Sequence, residues 1–377
     1  REKAMRSNVL MFCLISFYIV TGCSSRTSCY RFTLRGELDG MKYGKMFLYK
    51  QGDSRHPLDS AEVSGGKFVL KTAVPEPGKF TIQVNRKSLI CYLDGEEMFL
   101  KGNYDSFSKS KLEGSPANDL DKKYQNLLDK YVRSECDSLL REYRKAFGAN
   151  DVELGDRLMT RILQLENEVQ FQLTEELVRE NPNSIFSAHI STLVLGGSYE
   201  KGKKLYDLLG SKARASSWGV ALKQRVEELE RTAIGKNCPD FEMTGVNGEK
   251  FMMSSLLGSS FKNSLVIIDF WASWCGPCRQ EMKSLMERYK EFNGRGVQFL
   301  SISIDDSEKK WKEAYKEEGF PWLSAWDEKG WNNSKIREIF GITQIPFIIL
   351  LDKDGKIAAK NIRRNTLREK IVELLNQ

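Results

Sequence analysis

The sequence predicts a multidomain chain: a small antiparallel β domain, then a helical segment, then a C-terminal α/β domain. Three observations predict it. Short β-like runs separated by turn residues fill 30–112, and a Leu-, Glu-, Lys- and Arg-rich stretch with helical spacing fills 118–233. From Asn237 onward strand-like and helix-like patterns alternate. A chain of 377 residues has the length for more than one core. The net charge of +7 lies partly in the leader and forms no Lys/Arg block interleaved with aromatics, so no nucleic-acid partner is expected.

Residues 1–22 read as a leader. Arg1, Lys3 and Arg6 precede an apolar-rich run from Val9 to Val20, too short for a membrane span and suited to the core of a secretory signal. The run ends in Val20-Thr21-Gly22-Cys23, which resembles the lipobox of bacterial lipoproteins with Cys23 as the acylated residue. The alternative is a short anchor helix left uncleaved; either way the chain is exported and tethered. Met5 would also make a sensible start.

The β domain, assigned to residues 23–113 as a small antiparallel sandwich or barrel, rests on Phe32–Gly36, Met46–Tyr49, Lys67–Leu70 and Phe80–Val84, with later pieces around Ser88–Leu93 and Glu97–Lys101. Asp39-Gly40, Gly65-Gly66 and Pro75-Glu76-Pro77-Gly78 supply turns. No catalytic constellation stands out here. Asp59-Ser60-Ala61 followed by Val63–Phe68 reads as a strand and hairpin.

Gly114-Ser115-Pro116 marks a boundary, and residues 114–233 form the helical segment. Tyr124, Leu127, Leu128, Tyr131 and Val132 share a helical face, as do Leu158, Ile162, Leu165 and Val169. Asn181-Pro182-Asn183-Ser184 ends one helix and caps the next. Gly196-Gly197 interrupts again, and Val220–Ile234 reads as a last helix ending at Gly235. These breaks favour a compact insert over a coiled dimerisation arm.

In the last part, residues 234–377, the apolar run Leu265–Ile268 leads into Phe270-Trp271-Ala272-Ser273-Trp274-Cys275-Gly276-Pro277-Cys278, and a helical pattern from Arg279 to Phe292 follows. Two cysteines therefore sit where a buried strand turns into a helix. Unpaired N–H groups of a helix's first turn favour negative charge on Cys275, and a thiolate is the nucleophile of disulfide exchange. Cys278, one turn on, can attack a mixed disulfide and release the partner. Pro277 suits the first turn, where its missing N–H costs nothing. The pattern reads as a redox dithiol needing no cofactor beyond its own disulfide. A zinc site would want a second pair, and the two histidines, His56 and His189, lack ligand spacing. Haem attachment would want His where Arg279 stands. A merely structural disulfide is the remaining alternative. Cys29, Cys91, Cys136 and Cys238 form no framework and read as single thiols, while Cys13 lies in the leader.

Around the pair lie Val246-Asn247-Gly248 in an opening hairpin and Ser254 placed to cap a short helix. Strand Val297–Ile304 follows, then helices over Ser307–Glu318 and Ser334–Phe340. A hairpin turns at Asp354-Gly355, and Thr366–Leu375 closes the chain. Cys238-Pro239-Asp240-Phe241, Asp269-Phe270-Trp271 running on through Met282, Ser303-Ile304-Asp305 and Gly341-Ile342-Thr343-Gln344-Ile345-Pro346 together resemble the thioredoxin fold, in its TlpA/ResA-like branch. The β segment resembles the N-terminal domain of many exported lipoproteins of this kind.

The resemblance implies Cys275 as attacking thiolate, Cys278 as resolving thiol and Pro346 as a cis-proline beside the disulfide. Ile345 would offer its backbone to an extended partner peptide. Trp274, Gly276 and Pro277 complete the partner-contacting set, while Trp271 is core. Asp269 matches a partly buried acid of thioredoxins. In an apolar strand its pKa should rise, suiting a proton relay to Cys278; the alternative is an ordinary strand-end Asp. Glu281 matches an Arg-x-Glu signature and reads equally well as helix surface, outside the chemistry. Lys283 departs from the related proline, making a kink in the active-site helix less assured.

The expected function is reduction of client-protein disulfides at the bacterial cell envelope, by a lipid-anchored, periplasm-facing protein fed by a membrane electron donor. One rival is a thiol peroxidase, but Ile268 and Ala272 occupy the two key places of its usual motif before Cys275. Another makes 30–233 a binding or scaffold unit with an accessory redox module.

Overall fold

The computed structural model describes residues 29–377. The leader, the proposed lipidation residue Cys23 and Cys13 lie outside the described residues. Eight strands form the first sheet: β1 (Tyr30–Asp39), β2 (Tyr43–Lys50), β3 (Asp59–Ser64), β4 (Lys67–Val74), β5 (Gly78–Val84), β6 (Lys87–Leu93), β7 (Glu97–Asn103) and β8 (Lys111–Glu113). Their order is β6-β5-β2-β3-β4-β1-β7-β8. All pairs are antiparallel except β1 with β7, which run parallel. Alternation buries one side of β1, β4 and β5, and Phe32, Leu34, Met46, Leu48, Ile82 and Val84 share one core.

The helical segment begins at Pro116–Leu128, capped by Ser115, whose Oγ accepts from Asn118 N. This helix runs through a π-helical turn, Asp129–Arg133, into Ser134–Gly148. Val152–Gln164 and Gln170–Glu180 are joined through a second such turn, Leu165–Val169, and the two turns pack together. Ser184 caps Ile185–Leu193, as the break at Pro182 predicts. The last helix is Ser217–Glu230, shorter at its end than the predicted Val220–Ile234. The chain turns before Gly235, which has φ +85° and donates its N–H to Ile357 O.

Two seams join the segment to its neighbours. On the β side, Asn118 accepts from Tyr92 N and donates to Tyr92 O, and the Tyr92 hydroxyl lies 2.5 Å from His189 Nδ1. On the other side, Tyr143 and Asp156 reach the C-terminal domain.

That domain holds β9 (Glu242–Gly245), β10 (Lys250–Met252), β11 (Leu265–Trp271), β12 (Val297–Ser303), β13 (Leu323–Trp326), β14 (Phe347–Leu351) and β15 (Ile357–Lys360). The order is β10-β9-β13-β12-β11-β14-β15, with central β11 parallel to β12 and antiparallel to β14. Every residue of β11 is buried, because both faces are covered. Leu265, Ile267 and Trp271 enter one core with Met282, Leu285 and Phe292 of the helix Gly276–Phe292. Val266, Ile268 and Phe270 enter the other with Phe340 and Phe347. Ser254 lies inside the helix Met253–Gly258 rather than capping it; Asp240 caps instead, accepting from Ser254 N and Oγ at 2.8 Å each.

Candidate active site

Strand β11 ends at Trp271, and the next four residues carry the chain onto the helix Gly276–Phe292. Asp305 braces that crossing: its carboxylate accepts from Ser273 N at 2.8 Å and Ser273 Oγ at 2.6 Å. Cys275 is the N-cap residue, and its Sγ accepts from Cys278 N at 3.1 Å. Cys275 and Cys278 are joined by a disulfide and are 5% and 1% exposed. The sulfurs thus lie at the positive end of a 17-residue helix.

Ile345-Pro346 is a cis peptide bond, and Ile345 O lies 3.8 Å from Cys275 Sγ. Trp274, next to Cys275 in the chain, is 56% exposed and meets Trp331 edge to face, with Arg337 stacked on Trp331 at 4.4 Å. Gly276 and Pro277 are exposed, and a side chain at 276 would enter open space. Trp271 is wholly buried core.

Asp269 lies mid-strand, not at a strand end, on the β11 face that the active-site helix covers. Burial raises its carboxyl well above the ordinary range, the Glu281 charge adds to this, and Ser301 and Arg363 oppose it. Glu281 departs from the helix-surface expectation. It is buried, and its Oε2 lies 2.7 Å from Arg364 Nε. The Arg-x-Glu signature was the available signal, but its burial depends on distant Arg364.

Lys283, the departure from the related proline, also has a local reason. Its Nζ donates to Asn150 Oδ1 at 2.9 Å and sits 4.3 Å from the centre of the Phe147 ring. The helix runs unbroken beneath this contact with the helical segment.

Away from this site, Cys91, Cys136 and Cys238 stand as thiols. Burial pushes them up to about 12, about 11 and about 12. Among the described residues no cluster of His, Cys, Asp or Glu is arranged to hold a metal.

A central strand handing two cysteines to a helix, beside a cis-proline loop, defines the thioredoxin-like class. Residues 234–361 match the AhpC/TSA family, and residues 32–120 match a domain of unknown function (DUF4369). A thiol-disulfide oxidoreductase ResA of Bacillus cereus is 31% identical over 139 residues, spanning 37% of this chain and 75% of the relative. ResA of Bacillus thuringiensis subsp. konkukian is 29% identical over 148 residues, 39% of this chain and 80% of the relative. A solved thiol-disulfide oxidoreductase from Bacteroides fragilis is 31% identical with a TM-score of 0.34, covering 37% of this chain and 99% of that one. The chain belongs to the ResA-type thiol-disulfide oxidoreductases and is an enzyme of that activity.

Proposed function

We propose that Cys275 and Cys278 are the redox pair and that the enzyme reduces disulfides of exported client proteins. The observation that carries this is Cys275 Sγ at the helix N-cap, 3.8 Å from the Ile345 carbonyl of the cis-proline loop. In the reduced enzyme the Cys275 thiolate attacks one client sulfur. A bond forms between the two sulfurs, the client disulfide breaks, and the second client sulfur leaves as thiolate. Cys278 then loses its proton and attacks Cys275 Sγ. This releases the first client sulfur as thiolate and leaves the Cys275–Cys278 disulfide. Two electrons pass from enzyme to client, and a membrane donor restores the dithiol.

We assign Asp269 as the acceptor of the Cys278 proton, since burial on the strand under the active-site helix raises its carboxyl's affinity for a proton. Ile345 and Pro346 supply backbone to an extended client segment, with exposed Trp274, Gly276 and Pro277 as further contacts. The Gly-Pro dipeptide between the cysteines resembles that of reducing thioredoxins, which supports reduction over oxidation. The apolar leader and Val20-Thr-Gly-Cys23 support export, with Cys23 as lipid anchor and the bulk of the chain facing the periplasm. We take 23–113, 114–233 and 234–377 as the separable parts.

The test is trapping. In Cys278→Ala the second attack is removed, so clients accumulate as disulfides on Cys275 and are recovered from envelope extract. Recovery of none, with Cys275 still reactive, sinks the reading.

A further inference from the structure

One turn along the helix from Cys278, three separate stretches of chain build one buried cluster of charges. Asp156 comes from the helix Val152–Gln164, Glu281 from the active-site helix, and Arg364 from the start of the helix Arg364–Leu375; all three are nearly sealed from solvent. Arg364 Nη1 donates to Asp156 Oδ1 at 2.7 Å. On its other side, Arg364 Nε lies 2.7 Å from Glu281 Oε2, close enough for charge pairing but misaligned for a hydrogen bond. Arg364 Nη2 donates to the Tyr143 hydroxyl at 3.3 Å, and that hydroxyl donates to Gln280 Oε1 at 2.9 Å. Ser284 Oγ donates to Asp156 Oδ2 at 2.8 Å, with Arg288 Nη2 3.4 Å from the same oxygen. Arg364 has φ +57°, a left-handed conformation uncommon for a side-chain-bearing residue. The cluster thus holds Arg364 against its backbone preference.

One guanidinium is divided between two carboxylates, and only one of those belongs to the redox domain. Asp156 is supplied by the helical segment, where an apolar side chain would pack a buried seam at less desolvation cost. We infer that Asp156 is a positioning residue for the redox pair: by sharing Arg364 with Glu281, it sets how far the Glu281 charge is neutralised one helical turn from Cys278. The inference rests on the proposed role of Cys275 and Cys278, and makes the helical segment part of the redox machinery.

Through Glu281 the cluster acts on Asp269, on the strand that delivers the pair. Glu281 from the active-site helix and Arg363 from the turn before the last helix act on Asp269, with Ser301 on β12. Arg363 also feels Glu166 of the helical segment and its neighbour Arg364. Removing the Asp156 charge commits Arg364 to Glu281, leaving the surroundings of the thiols less negative and favouring the thiolate. Removing the Ser284 hydroxyl does the reverse, because Asp156 then draws harder on Arg364.

The readout is the pH midpoint of Cys275 alkylation in the reduced, full-length protein, with the wild type as reference. Asp156→Asn is expected to lower the midpoint by about half a unit. Ser284→Ala is expected to raise it by a smaller amount, and Asp156→Glu to restore the wild-type profile. A merely structural seam would move the first two variants in the same direction or neither. Equal midpoints, or shifts of one sign, overturn the inference. If Asp156→Asn fails to fold, the sign for Ser284→Ala decides alone. A wild-type Cys275 that never reacts as a thiolate would instead sink the redox-pair reading itself, and this inference with it.

Discussion

Ser301 Oγ lies 3.5 Å from Asp269 Oδ2, at the outer limit of a hydrogen bond, and Asp269 Oδ1 has no partner. Ser301 is meanwhile held by Trp322, whose Nε1 donates to its Oγ at 2.9 Å. The strand that delivers the cysteines thus carries a buried carboxyl whose charged form is poorly satisfied. Asp269→Asn should slow client release by about 100-fold, with mixed disulfide accumulating in quenched-flow samples. Its stability effect has the opposite sense. The folded carboxyl titrates above the unfolded one, so folding loses stability as pH rises from the unfolded value through the folded one. The oxidised Asp269→Asn protein should therefore lack that loss and melt a few degrees higher at neutral pH.

Trp274 touches Trp331 but is more than half exposed, so it contributes little to the core. Trp274→Ala should change unfolding free energy by no more than about 0.5 kcal/mol. The same variant should raise KM for a peptide disulfide by about fivefold, with kcat unchanged, as expected for loss of a rim aromatic. A fall in kcat at constant KM would place Trp274 in the chemistry instead.

Lys283 occupies the interior of the active-site helix and donates to Asn150 across the seam. Installing the proline of related proteins should therefore harm this chain. Lys283→Pro is expected to cost about 3 kcal/mol in denaturant unfolding, from the lost helix bond and the ring clash.

His189 is held neutral. Burial lowers it to about 4, and Lys79 adds to the shift. In the window between its ordinary value and about 4, the unfolded chain takes a proton that the folded chain refuses. Stability present at neutral pH is lost as pH falls through that window. The drop in Tm from pH 7.5 to pH 5 should shrink in His189→Gln, measured by circular dichroism.

Much of the site was legible because its chemistry is local. The handover from Leu265–Ile268 to Cys275 and Cys278 lies within one short run, and alternation along the same strand fixes the face of Asp269. The β domain was legible from its turns, including the Gly65-Gly66 hairpin between β3 and β4. What escaped depends on long-range pairing. The parallel match of β1 with β7 leaves no periodic mark in either strand. Strand β13, Leu-Ser-Ala-Trp, is too short and too poor in β-branched residues to show. Glu281 looks like helix surface until Arg364 and Asp156 are brought to it from two distant stretches. Lys283 reads as a mismatch until Phe147 and Asn150 meet it.

The central claim is that Cys275 and Cys278 form a reducing two-electron couple, and a redox titration followed by tryptophan fluorescence tests it most directly. The account predicts a single transition that shifts by about 30 mV per tenfold change in the ratio, absent in Cys275→Ser, with a midpoint nearer thioredoxin's roughly −270 mV than a strong oxidant's roughly −120 mV. A midpoint near the latter value, or a transition that persists without Cys275, would contradict it.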